Sequence, residues 1–441
     1  MPKDAAYLAN VRAQYEALPY PPRDSRDERK RLIRTYSDQL ALLNHYGFQG
    51  RRDFRGFKAL VAGSGTGDGT IYLAEQLKGF SGARVVSIDI SEASNDVARA
   101  RARVRGLKNI TFLHGSLLEL PERGLEPFDY VNCVGVLHHL ADPDAGLKAL
   151  TAVLKPDGLM SLMLYATYGR TGVYQMQELM RLINGDEPDI QAKVDTTKAV
   201  LAELPAGNWF KRGEELITDH RTDGDVGIYD VFLHEQDRAY TVPETYDFVE
   251  RAGLTLVDYS RPPDRMLLDP ANCIRDPGLL ERVRALPVRE QRAVAELVTG
   301  LLIKHQVYAA RAPDTVASLD DLDNVPFLVG FPPDAHRQLA DQMRRAPGAP
   351  VEVRTQAFGY RFTPRRYTAA IFANMDGQRS LGRIFEAVRR DTGEAALTDD
   401  DLKADFAPVY RTLEFGGHLL LRHRTVAPLK DPAEGPPGRR R

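Results

Sequence analysis

The sequence predicts an α/β protein built on a doubly wound, Rossmann-like sheet, and three observations carry that prediction. An apolar run ends in glycines at alternate positions, Gly63, Gly65 and Gly67, with Gly69 continuing the series. A second β-rich run, Arg84–Ile88, ends in the acid Asp89. Strand-like and helix-like stretches then alternate along the chain, the pattern of a parallel sheet with helices on its faces.

The stretch Leu60–Gly69 reads as a buried strand running into a tight turn, with Thr70–Leu77 as the amphipathic helix that leaves it. Missing side chains let such a backbone turn sharply and approach a ligand, and backbone N–H groups are expected around whatever sits there. A strand-to-helix connection with no ligand is the plain alternative. Asp89, at the end of the second strand, puts a carboxylate beside the first crevice of the sheet, within reach of both hydroxyls of a ribose. A dinucleotide fingerprint needs a third glycine three places after its second. In the three registers that place holds Asp68, Thr70 or Tyr72, so the nicotinamide pattern fails in each.

Ile110–Leu113 reads as a third strand, followed by His114, Gly115, Ser116 and Leu117. Phe128–Val134 is the fourth, opening on a Phe-Asp pair and followed by GVLHHLADP from Gly135 to Pro143. Ala145–Leu154 has a helical pattern, and LKPDGLM, Leu154–Met160, turns into the fifth strand. These motifs, in this order, resemble those of class I S-adenosylmethionine-dependent methyltransferases. The resemblance implies a seven-stranded sheet in which Lys304–Arg311 inserts antiparallel between the fifth strand and Leu254–Tyr259. It implies S-adenosylmethionine as methyl donor, with Gly63, Ser64, Gly65 and Gly67 around its methionine portion. Asp89 is then expected on the ribose, Ile90 on the adenine face, Ser116 and Leu117 at the adenine edge, and Cys133 and Gly135 beneath the methionyl arm. An acid often stands in the family near the place of Ser116.

A sulfonium methyl already carries a good leaving group, so the transfer needs no metal and no metal ligands are assigned. What it needs is nucleophile, methyl and sulfur held in line, a positioning effect worth about 7–11 kcal/mol. An acceptor that must lose a proton also needs a base. His138, preferred over its neighbour His139, follows the fourth strand; Tyr165 ends the fifth; His234 has Asp230 four places before it to orient it. Each has a structural alternative, in packing beneath the cleft or as a satisfied core histidine.

Flanking regions complete the expected organisation. Residues 1–56 form an N-terminal helical lid: QYEALPYPPRD, Gln14–Asp24, then a helical stretch Glu28–Tyr46. The first of these is similar to a Tyr-Glu-x-x-Pro-Tyr-Pro element of a bacterial methyltransferase subset, which makes Tyr15, Tyr20 and Arg23 the contact residues of a lid over the donor. A proline-stiffened linker is the alternative. Residues 57–312 form the methyltransferase domain, with a helical cap at about 166–228 in which Trp209 reads as core, with a place in an acceptor pocket as the alternative. The same subset carries an Asp, His, Tyr, Thr pattern that falls here on Asp230, His234, Tyr240 and Thr241. Residues 313–428 resemble a winged helix, with a helix-turn-helix over Tyr367–Val388 turning at Asp376-Gly377. A helix, a Gly416-Gly417 turn and a strand follow over Asp405–Leu421. Small winged-helix domains of this kind bind peptides in bacterial peptide-modifying systems, which favours a peptide or protein substrate; homodimer contact is an alternative role. The tail 429–441 is expected to be disordered.

Composition sets outer bounds. With 59 basic against 61 acidic residues no global field draws the chain to nucleic acid or membrane. Cys133 and Cys273 are too few for a disulfide framework or a zinc cage. Neither a signal peptide nor a bilayer-spanning apolar run is read in the sequence, so a cytoplasmic setting is expected. RNA or a small molecule as acceptor, or a donor-binding regulator without catalysis, are the competing functional readings.

Overall fold

The computed structural model describes residues 12–13, 15–234, 237–354 and 359–432. It divides into two compact units, Met1–Tyr36 with Arg55–Arg311, and Ser37–Phe54 with Ala312–Arg441.

The first unit is organised by one sheet. Its strands are β1 (Lys58–Ala62), β2 (Arg84–Asp89), β3 (Ile110–His114), β4 (Phe128–Val134), β5 (Leu154–Ala166), the two-residue β6 (Ala239–Tyr240), β7 (Thr255–Tyr259) and β8 (Lys304–Ala310). They lie in the order β3-β2-β1-β4-β5-β8-β7, with β6 paired to the end of β5. The first five run parallel. β8 runs antiparallel to both β5 and β7. The seven-stranded sheet with its inserted antiparallel strand is therefore present, and β6 is an addition at the cleft. Central strands are buried on both faces, so Leu60, Val131, Leu162 and Val307 sit wholly inside one apolar core. Each such side chain contributes about 1.5–3 kcal/mol on leaving water.

Local signals place the helices. Ser91 caps Glu92–Arg105, and Gly106 ends it in the left-handed conformation. Pro143–Ala152 starts two residues before the expected Ala145, because Asp142 accepts from the Ala145 N–H and Pro143 fits the first turn. In the cap, the helices Val173–Asn184, Ile190–Glu203 and Gly224–Phe232 close over their own cluster, which includes Met176, Val194, Phe210 and Phe232. Trp209 does not belong to that core: it is 56% exposed, and the buried ring is its neighbour Phe210.

Among the described residues of the N-terminal stretch, the expected helix Glu28–Tyr46 is not continuous. Glu28–Tyr46 breaks into a 3₁₀ turn at Ser25–Arg29, a second at Tyr36–Asp38 and the helix Leu40–Gly47. Burial dictates the break. Glu28 is drawn inside to pair with Arg101 and Arg105 of the first unit. By contrast, every residue of Leu40–Gly47 is buried within the second unit, where the Leu421 N–H donates to His45 Nδ1 at 3.1 Å.

In that second unit β9 (Asn324–Leu328) pairs antiparallel with β12 (Leu419–His423), and β10 (Val351–Arg354) with β11 (Gly359–Phe362). The helices Ala335–Arg345, Thr368–Asn374, Leu381–Thr392 and Asp399–Phe415 pack around Phe372, Phe385, Phe406 and Leu413. The expected tail falls mostly beyond the described residues. Among the described residues no helix is long and apolar enough to cross a membrane.

Candidate active site

The glycine turn follows β1 at the carboxyl edge of the sheet. Gly65 has φ +50°, and a Cβ there would collide with the Tyr20 carbonyl. At Gly67 the close neighbour is Ala98 of the helix Glu92–Arg105, so the missing side chain lets that helix pack against the turn. From Gly63 to Gly67 the N–H groups are engaged within the chain. Gly63 and Ser64 both donate to the Ile88 carbonyl, Thr66 to the Tyr20 carbonyl and Gly67 to the Ser64 carbonyl. Gly65 donates to Asp89 Oδ2 at 2.7 Å. A loop with its N–H groups spent in this way suits a nucleoside without phosphates better than a pyrophosphate.

Asp89 also accepts from the Ser91 N–H at 2.9 Å. Burial raises its pKa, and these two N–H bonds oppose the rise. A carboxylate has about four acceptor sites, so lone pairs remain for two ribose hydroxyls. Ser64 Oγ is buried without a hydrogen-bond partner among the described residues, an orphan that a polar ligand would satisfy. Orphan hydroxyl, side-chain-free turn and open carboxylate fit the donor that the sequence implies. Ile90 is half-buried beside Asp89. Ser116 caps the 3₁₀ turn Leu117–Glu122, and the Leu117 side chain points into the core. Cys133 is likewise wholly in the core, where burial pushes its thiol pKa up, so only its backbone is open to a donor role. Gly135, φ +79°, turns the chain out of β4.

A strap covers this edge. The Tyr15 carbonyl accepts from Ser91 Oγ at 3.0 Å, and Glu16 takes the N–H groups of Glu92 and Ala93 at 2.8 and 3.0 Å. Arg23 grips Asp68, and the buried Arg101 joins Asp68, Glu28 and the Thr66 carbonyl. Tyr15, Tyr20 and Arg23 thus lie against the glycine turn and its neighbours, with Tyr20 acting through its backbone.

The three candidate bases come together at the ends of β4, β5 and the helix Gly224–Phe232. The His138 ring lies 3.9 Å from that of Tyr165, and His139 is stacked on His234 at 3.8 Å. Tyr165 donates to Asp230 Oδ2 at 3.3 Å. Burial raises Asp230 to about 7, against the opposing pull of Arg170. Burial, followed by the charges of Arg170 and His234, holds the His138 imidazole well below its usual range. Burial drives the Tyr165 phenol well above its own, with Asp230 adding to the rise. A neutral imidazole, a protonated phenol and a carboxylate poised near neutrality are a set that can move one proton. Of the remaining pattern residues, Thr241 caps the helix Val242–Arg251 and is structural.

Sequence reasoning missed two members. Arg170 is buried with its guanidinium 3.6 Å over the Tyr165 ring, and Asp237 lies 3.6 Å from Arg170. Their signal was a charged residue four places past a buried strand end, in TYGR, and a second acid inside the DVFLHEQD run.

Comparison with known proteins agrees with this architecture. The methyltransferase-domain family matches residues 60–160. An uncharacterised protein of Synechococcus sp. is 32% identical over 311 residues, covering 69% of this chain and 72% of its own. The ubiquinone biosynthesis O-methyltransferase of Maricaulis maris is 34% identical over 130 residues, 30% of this chain and 48% of that enzyme. Among solved structures, PKMT2 from Rickettsia typhi is similar over 91% of this chain and 77% of its own, with a TM-score of 0.61 at 15% identity. It has also been solved with AdoHcy. The fold and the site's edge define a nucleoside-donor transferase of the doubly wound class. The chain belongs to the class I S-adenosylmethionine-dependent methyltransferases, and S-adenosylmethionine is its methyl donor.

Proposed function

We propose that the protein methylates a peptide or protein group that enters the pocket walled by His138, His139, Tyr165 and His234. The observation that carries this reading is the Tyr165–Asp230 contact at 3.3 Å, which ties a buried phenol to a carboxylate raised to about 7. Asp230 takes the acceptor proton through or beside Tyr165, and the aromatic walls exclude water while the sulfonium charge disperses. Gly63, Ser64, Gly65 and Asp89 hold the donor from the other side, with Ile90 and Ser116 towards the adenine. The strap residues Tyr15 to Arg23 keep that side closed.

A peptide is favoured over a compact metabolite by the second unit, which carries an open cleft of about 760 Å³. Arg365, Arg366, Tyr367, Glu394 and Asp401 line it with both signs of charge. Its helix-turn-helix, helix and strand order is the one the sequence likened to peptide-binding winged helices. The test is incubation with methyl-labelled donor and a fractionated lysate. Label in protease-sensitive material supports the proposal; label confined to RNA or to small molecules refutes it.

A further inference from the structure

We propose that His138, His139 and Asp237 form a binding site for a first-row divalent cation, of the zinc or ferrous type. One ligand atom from each of the three lies within 4.8 Å of the others. The two segments involved, the turn after β4 and the stretch entering β6, are fastened by the Arg238 N–H donating to the His138 carbonyl at 3.1 Å. The paired rings are tilted by 59° at 4.2 Å, which lets their nitrogens face one point.

Two further observations point to a ligand there. His138 is fully buried, and by distance and angle neither ring nitrogen makes a full hydrogen bond among the described residues, the Met163 backbone being a loose neighbour. Buried imidazoles are normally satisfied, so this ring has a nitrogen left for a ligand. Asp237 shows the complementary asymmetry. Its Oδ2 accepts from Gln177 Nε2 at 3.3 Å and faces Arg170 Nη2 at 3.6 Å, whereas its buried Oδ1 has no hydrogen-bond partner of full geometry among the described residues, the Arg238 N–H lying beside the carboxylate. Outer groups that fix one carboxylate oxygen and leave the other bare are how proteins orient a metal-ligating acid.

Two imidazoles and one carboxylate leave coordination positions open, as in catalytic zinc and ferrous sites. Beside Tyr165, such a cation would bind an oxygen or nitrogen of the acceptor and ease its deprotonation. The other convergence of this kind, Asp321, Asp323 and His423, is answered internally, because Arg51 pairs with Asp321 and Arg424 with Asp323.

The test uses the full chain, stripped with a chelator and titrated with Zn²⁺ by calorimetry, with Co²⁺ as an absorbance probe. We expect one equivalent bound and a cobalt spectrum of nitrogen and oxygen ligation. Asp237→Asn and His138→Gln should each weaken Zn²⁺ binding by at least about tenfold. Wild-type protein that binds no Zn²⁺, or binding that both variants leave unchanged, overturns the proposal. If the variants do not fold, the wild-type cobalt spectrum decides: a histidine-bound spectrum supports the site, and that of the hydrated ion refutes it. Donor affinity measured on the same stripped protein keeps this outcome separate from the methyl-transfer reading.

Discussion

Asp89 holds the glycine turn through Gly65 and the next helix through Ser91, so one carboxylate sets the shape of the donor's edge. Asp89→Ala should raise the donor Kd about 10–100-fold, the equivalent of one or two charge-assisted hydrogen bonds. Calorimetry checks it, and unchanged affinity would remove Asp89 from the site. Asp230 gives the second prediction at this scale. With Asp230 near 7, activity should rise with pH through the neutral range as the carboxylate becomes able to accept a proton. Asp230→Asn should lower kcat by about 10²–10⁴-fold and flatten that limb in a pH–rate profile. The position of Asp89 was legible in the sequence because it follows from two local facts, a strand and its last residue. Arg170 and Asp237 were not, because only the pairing of β6 to the end of β5 brings their neighbourhoods together.

At the scale of elements, the strap acts through buried charge. Arg101 is 1% exposed and holds Glu28, Asp68 and the Thr66 carbonyl at once. Arg101→Ala leaves Glu28 and Asp68 with less compensation, so the loss should be about 3–5 kcal/mol in denaturant unfolding. The same change should loosen the turn that carries Gly65. Helix packing on the far side of the sheet gives a pH test. Burial raises Glu296 to about 7, while the Val242 N–H at 2.8 Å opposes the rise. An acid raised in the folded state stabilises below its unfolded pKa, and that contribution is lost as pH climbs through about 7. From pH 5 to pH 8 the stability of Glu296→Gln relative to wild type should therefore shift by about 2–4 kcal/mol in the variant's favour. Thermal melts at the two pH values measure it. Strand signals were clear in the sequence, since buried parallel strands are simple apolar runs. The break at Glu28–Tyr46 was hidden: its helical composition is local, whereas the partners that pull it apart, Arg101 and Leu421, are distant in the chain.

For the whole molecule, the near balance of charge and the mixed-sign cleft of the second unit support the proposed peptide acceptor over a polyanion. Retention on a nucleic-acid column should be weak and nearly independent of salt; a steep salt slope would favour RNA. The order of the seven main strands could be read in advance because each motif after the glycine turn sits at a strand end. That Ser37–Phe54 belongs with the C-terminal residues could not, since its buried face is set by contacts within that unit. The most direct test of the account is a crystal structure with S-adenosylhomocysteine. Its ribose should lie on Asp89 and its sulfur should face the rings of His138 and Tyr165. A nucleoside bound away from Asp89, or a sulfur directed away from those rings, would contradict it.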